Sequence, residues 1–250
     1  MRYLAFPILA FATACSASAD DGAGKLSGVS GSRSFDVKGF ESVSLSGPDN
    51  VIVQVGKAMS VKAVGDIAIL DRLEIEVVDG DLRIGRKRRN GVHFNWGNNS
   101  GAVVTVTLPV LTGASVAGSG DMDVDHAEAP KFSASVAGSG SLKVGALKAD
   151  RLNVSIAGSG NANFAAGTAT DADMSIAGSG NVDAAGLASR TADISIAGSG
   201  DVKAGVSERA AVSILGSGDV DIIGDAQCKV SKMGSGDVRC TPGAPSTPKQ

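Results

Sequence analysis

Aromatic side chains are scarce in this chain of 250 residues, which has one Trp, one Tyr and seven Phe. That scarcity argues against a bulky helical core. It leaves Val, Ile, Ala and Leu to fill a thin interior that suits β-strands. Histidine is scarcer still, with His93 and His126 alone. No H-E-x-x-H, nucleophile-elbow G-x-S-x-G or phosphate-loop pattern occurs. No stretch carries a sustained apolar stripe of period 3.6, so amphipathic helices are not expected. Charge of one sign is also missing. The formal net charge of -3 argues against a broad nucleic-acid surface, and no nucleic-acid partner is expected.

Long hydrophobic runs are absent too. The apolar stretch from Leu4 to Ala12 is too short to cross a bilayer as a helix. Behind Met1-Arg2 and ahead of small residues, it has the layout of a secretory signal peptide, read as residues 1–19. Two cleavage readings stand. Ala12-Thr13-Ala14-Cys15 reads as a lipobox that leaves a lipidated Cys15, and Ala17-Ser18-Ala19 reads as an A-x-A site with cleavage before Asp20. Both imply export, to periplasm, outer membrane or cell surface. Residues 20–32 read as a flexible tether. The other two cysteines, Cys228 and Cys240, are either a disulfide in an oxidising compartment or two small buried hydrophobes.

What the chain has in abundance is glycine, 34 of them. Gly-Ser-Gly recurs with its first Gly at 118, 138, 158, 178, 198, 216 and 234. A fixed period in this range marks a stacked array. Around each copy the even positions are apolar (Val136, Leu142, Val144; Met174, Ile176, Val182; Ile194, Ile196, Val202) and the odd ones carry Ser, Asp, Asn and Lys. Period-two alternation means strands with one dry and one wet face. Each unit reads as strand, bend, strand, corner, with the glycines where the chain turns or meets a neighbour closely. One such unit buries too few side chains to offset the entropy of ordering it, so units must stack and share a core. The expected fold is all-β, a parallel β-helix (solenoid) with coils of ~20 residues. A β-sandwich is the alternative, but identical repeats in one phase suit parallel stacking better.

The body is read as residues 33–240, with a regular array over 113–240 and irregular first coils over 33–112. "FESVSLSGPDNVIVQVG" (40–56) resembles a worn copy of the later unit, with Ser46-Gly47 in place of Gly-Ser-Gly. "LEIEVVDGDLRIG" (73–85) reads as strand, Asp-Gly turn, strand. The Pro-rich polar stretch 241–250 is expected to be disordered.

The run "VTVTLPVLTGASVAGSGDMDV" (104–124) and the repeated "SIAGSG(N/D)V" resemble the putative auto-transporter adhesin, head GIN domain family of bacterial envelope proteins. The two N-terminal stretches just quoted are similar to that family's first part. The resemblance implies a single-stranded right-handed β-helix and an exported or lipid-anchored location. It supplies no catalytic residues.

Three surface features carry candidate chemistry. "RKRRNGVHFNWGNNSG" (86–101) places Arg86, Lys87, Arg88 and Arg89 beside His93, Phe94 and Trp96. Cations next to aromatics suit anionic glycans, lipid headgroups or a protein, and a solvated loop or a cap on the first coils is the bland alternative. Asp121, Asp123 and Asp125 echo a calcium loop, but His126 and Phe132 stand where Gly and Glu are needed. The residue after each bend forms a column: Asp121, Ser141, Asn161, Asn181, Asp201, Asp219, Asp237. It reads as turn bonding or, if bridged, as a cation site. No metal, cofactor or catalytic residue is assigned. The expected function is a non-enzymatic envelope protein, adhesin-like or structural, binding an envelope, glycan or protein ligand. Its membrane contact would run only through an N-terminal lipid. A β-helical enzyme acting on polysaccharide is the alternative.

Overall fold

The computed structural model describes residues 27–87 and 101–241. Cys15, the signal-like stretch, Arg88, Arg89, His93, Phe94, Trp96 and residues 242–250 lie outside them. In order come β1 (Ser30–Phe35), β2 (Ser42–Gly47), β3 (Asn50–Val55), β4 (Ser60–Asp66), one helical turn α1 (Ile67–Leu70), β5 (Leu73–Val78) and β6 (Asp81–Arg86). After residues 88–100 follow β7 (Val103–Leu108), β8 (Gly113–Gly118), β9 (Met122–Gly138), β10 (Ser141–Gly158), β11 (Asn161–Phe164) and β12 (Gly167–Gly178). The chain ends with β13 (Asn181–Gly198), β14 (Val202–Gly216), β15 (Val220–Ile223), β16 (Gln227–Gly234) and β17 (Val238–Thr241). They form a parallel β-solenoid of about six turns.

The bends line up in one file. Gly47, Gly118, Gly138, Gly158, Gly178, Gly198, Gly216 and Gly234 are successive register partners. Ser46-Gly47 thus takes the place in the stack that the sequence suggested. Each first glycine has φ between 120 and 141°, or 126° at Gly47, a region closed to most side chains. Its carbonyl accepts N–H groups from the rung above, as Gly158 does from Ser179 (2.8 Å) and Gly180 (3.1 Å).

The interior is not purely even-numbered. In the coil after Gly120, Met122 and Val124 point in, then Ala127 and Ala129, then Phe132, Ala134 and Val136. Two consecutive outward residues, Asp125-His126 and Pro130-Lys131, shift the parity at each corner. A pair of outward residues lets a strand turn a corner without breaking its ladder, so the cross-section has three sides rather than two. Where the coil shortens to 18 residues, the register drops three residues at the first of these corners, between Ala184 and Ala188, and regains one at the second, between Ser189 and Thr191. One apolar stack, Val116, Val136, Ile156, Ile176, Ile196 and Ile214, fills the side that leads into the bends.

The first part departs from the expected run of simple coils. The lowest rung is β6 with β7, the next is β2 with β3, and β8 follows. Chain order and stacking order therefore differ. β4 is antiparallel to β7 and to β1, and β5–β6 is an antiparallel hairpin turning at Asp79 (φ 52°) and Gly80 (φ 80°). Strand β1 begins at Ser30, inside the stretch read as tether. This layer covers the first end of the core. Asp66 clips it by capping α1 at Ala68 N (2.8 Å) and accepting from Ser27 Oγ (2.8 Å) and Gly28 N (2.8 Å).

Candidate functional site

Three surfaces could carry function. The first is the side formed by the strand that runs into each bend. Its outward residues stack in register, so Ser115, Ser135, Ser155, Ser175, Ser195, Ser213 and Ser231 stand in one column above Ser44. Rungs are ~4.8 Å apart, so the hydroxyls form a regular row. Beside them runs Ala117, Ala137, Ala157, Ala177 and Ala197, and then Leu215 and Met233. The face is flat because its side chains are small and constant. Near the far end a shallow groove crosses it, lined by Asp173, Asp193, Ser195, Ala211, Ser213, Lys229 and Ser231. Ala211 makes the notch between the longer Asp193 and Lys229. The alternation of outward Ser was visible in the sequence, but its persistence as one column depended on the register.

The second surface is the column after each bend. Five of the seven side chains, all but Ser141 and the last, Asp237, pass a hydrogen bond to the next rung. Asp121 Oδ1 accepts Ser141 N (2.9 Å), Asn181 Oδ1 accepts Asp201 N (3.0 Å), Asp201 Oδ1 accepts Asp219 N (2.9 Å) and Asp219 Oδ1 accepts Asp237 N (2.8 Å). Asn161 Oδ1 accepts Asn181 Nδ2 (3.1 Å). Asn50 begins the ladder by accepting Asp121 N (3.1 Å), and the period of the later repeats did not reach back to it. The column is a vertical hydrogen-bond ladder. The calcium-like triplet is likewise divided, since Asp125 Oδ1 accepts Val55 N (3.0 Å) and Asp123 lies 3.9 Å from Lys143. Among the described residues no three His, Cys, Asp or Glu side chains group to hold an ion.

The third surface is the cationic-aromatic segment, and the structure takes Arg86 out of it. Arg86 forks onto the fully buried Asp49, Nε to Oδ2 at 2.8 Å and Nη2 to Oδ1 at 2.7 Å. Asp49 Oδ1 also accepts Ala102 N (2.7 Å). A buried carboxylate needs such partners, so Arg86 is a structural lock rather than a surface cation. Gly101 packs against Pro48 and Asp49. Arg86 and Gly101 therefore both lie beneath the Gly47–Asp49 bend. Lys87 is exposed, and its N–H is held by Arg72 O (2.9 Å).

At the open end, Cys228 and Cys240 are joined by a disulfide, with 6.7 Å between Cα atoms. It ties β16 to β17 across the last rung. Lys232 continues the Ile196–Ile214 stack, and its Nζ reaches out to Gly236 O (2.8 Å) and Asp237 Oδ1 (3.7 Å). The aliphatic stem covers the core while the charge stays at the rim.

The family model described as putative auto-transporter adhesin, head GIN domain, matches residues 39–226. None of the curated proteins matches the chain. Among solved structures, a putative adhesin from Bacteroides fragilis is similar at 23% identity and TM-score 0.76, with 86% of this chain and 99% of that one covered. A putative lipid binding protein from Parabacteroides distasonis is similar at 23% identity and TM-score 0.65, covering 86% and 98%. A putative adhesin from Parabacteroides merdae is similar at 20% identity and TM-score 0.68, covering 86% and 98%. At these identities the likeness is one of fold.

Proposed function

This chain belongs to the putative auto-transporter adhesin, head GIN domain family, and from that premise we propose that it is a non-enzymatic protein of the bacterial cell envelope whose rigid outer face binds an envelope glycan or protein. The register-locked serine column carries the reading. Hydroxyls repeated every rung suit a partner that offers repeated hydrogen-bonding groups, and a stiff solenoid holds them without further ordering cost on binding. The names of the neighbouring structures, adhesin and lipid binding protein, agree with a binding role, and rows of hydroxyls favour saccharide or polypeptide over acyl chains. The exposed Lys87 and the cationic-aromatic residues Arg88, Arg89, His93, Phe94 and Trp96 that follow it in the sequence are a second candidate contact. Export is supported by the signal-like start, and attachment by the lipobox reading of Cys15. The disulfide fits an oxidising compartment.

The rival, an enzyme acting on polysaccharide, has one foothold. Asp173 and Asp193 are register partners on adjacent rungs, ~4.8 Å apart along the stack, a spacing that could suit a carboxylate pair. Both are exposed on an open face, whereas the carboxylates of a glycosidase flank the bond they cleave.

Retention on envelope material tests the reading, using wild type, a Ser155→Arg/Ser195→Arg variant and a deletion of residues 88–100 that spares Arg86. The face variant should lose retention. Loss in the deletion alone would move the site to that segment, and loss in neither would sink the proposal. Mass spectrometry of the mature N-terminus distinguishes a lipidated Cys15 from Asp20.

A further inference from the structure

The sheet that carries the serine column runs in the order β5, β6, β2, β8, β9, β10, β12, β13, β14, β16. Among the described residues β5 pairs only with β6, and β16 only with β14. Each end therefore offers a row of unmatched backbone N–H and C=O groups to any strand of the right chemistry. The two edges are opposite in charge. The only charged residues of β5 are Glu74 and Glu76, both exposed, and those of β16 are Lys229 and Lys232. Glu74, Glu76 and Lys229 have no ion-pair partner among the described residues.

The far edge is also apolar where it is bare. Val230 is 45% exposed and Met233 73%. At the near edge Ile75 and Val77 are only partly buried. The chain's own end is a poor cover for β16. Pro242, Pro245 and Pro248 lack the N–H groups that a hydrogen-bonded rung uses. Two β16 edges meeting each other would gather like charges. A β5 edge offers the opposite charge on the same alternation.

We propose that copies of this chain associate head to tail, β16 of one pairing antiparallel with β5 of the next. Setting Ile75 opposite Val230 of the next copy brings Glu76 opposite that copy's Lys229, with the apolar rows continuing the core. On the adjoining face the end strands are β1 and β17. Their arginines, Arg33 and Arg239, are already paired with Asp71 (3.1 Å) and Asp221 (3.6 Å). The unspent attraction therefore sits on the serine-bearing sheet. Such a contact joins unlike surfaces and does not close on itself, so it gives filaments that lengthen with concentration.

Sedimentation velocity of the mature protein across a concentration series, at low and high salt, tests this. Wild type should grow in mass with concentration, less so at high salt. Glu74→Lys/Glu76→Lys and Lys229→Glu should each weaken association on the order of tenfold, and combining them should restore it. Unchanged melting temperatures would show that the variants fold. A wild type that stays monomeric throughout overturns the proposal. So does insensitivity to either reversal, or a combination no stronger than the single variants. Weakening by Lys229→Glu alone would mean that β5 is not the partner strand, which also overturns it.

Discussion

Replacing Gly47, Gly178 and Gly180 by alanine, one at a time, separates two costs that each bend combines. Gly47 has φ 126° and no atom within 4 Å of an added Cβ, so Gly47→Ala bears only the conformational strain, about 1–3 kcal/mol. Gly180 has an ordinary φ, but an added Cβ would overlap the Gly160 carbonyl oxygen and come within 2.7 Å of Ile156 Cγ2. Relief means lifting the rung and loosening the Asn181 N to Gly160 O bond (3.3 Å). Overpacking plus one hydrogen bond comes to about 2–4 kcal/mol. Gly178 combines both, φ 132° and overlap with the Gly158 carbonyl oxygen, and that oxygen holds two N–H groups from its rung. The expected loss is about 4–6 kcal/mol, a large part of a normal folding stability. Ser179→Ala, on an exposed side chain, is the control and should change stability by less than about 0.5 kcal/mol. Urea unfolding read by circular dichroism gives the four values. The reasoning fails if Gly47→Ala costs as much as Gly178→Ala, because rung-to-rung contact would then add nothing at Gly178. It fails equally if Gly180→Ala lies within the control's range.

Three further outcomes follow from named contacts. Asp49→Ala should cost about 3–5 kcal/mol by leaving Arg86 without its buried partner, and a urea midpoint near wild type would contradict that. Opening the Cys228–Cys240 bond, which spans 12 residues, should destabilise the last rung by about 3 kcal/mol. Amide exchange should speed up in β16 and β17 while β10 and β12 keep their protection, and acceleration throughout would refute a local role. Burial pushes the Asp66 carboxyl up, but hydrogen bonds from Ser27, Ala68 and Gly28 outweigh it and hold the pKa below the ordinary value of 3.8. The clip is thus complete above the unfolded-state pKa and lost only as pH falls through the lower folded one. The amide shifts of Ser27, Gly28 and Ala68 should titrate with a midpoint below 3.8, and a midpoint at or above it would refute the clip.

Much of the regular array could be read from residues alone. Gly-Ser-Gly at a fixed step made the file of bends predictable, and period-two alternation made Met122, Val144 and Ile176 interior. Both are local signals repeated many times. The odd-numbered Ala127, Ala129 and Leu147 were missed because two outward residues in succession look like any polar corner. Nothing nearby in the chain shows that the strand resumes inward on the other parity. Arg86 was read with the cations beside it, because its partner Asp49 lies 37 residues earlier. The Asn50 end of the ladder escaped for the same reason, being 71 residues from Asp121.

The sequence by itself determined that this chain stacks. Its repeat length, its alternation and its glycines at fixed positions favour parallel stacking over a sandwich, since so thin an apolar face needs a neighbour above and below. Only the tertiary structure decided which rungs are neighbours at the first end, where β2 and β3 slot above β6 and β7 out of chain order. It also decided that β5 and β16 are the bare edges of the serine face. Pairing between distant segments depends on backbone hydrogen bonds, which carry no residue identity.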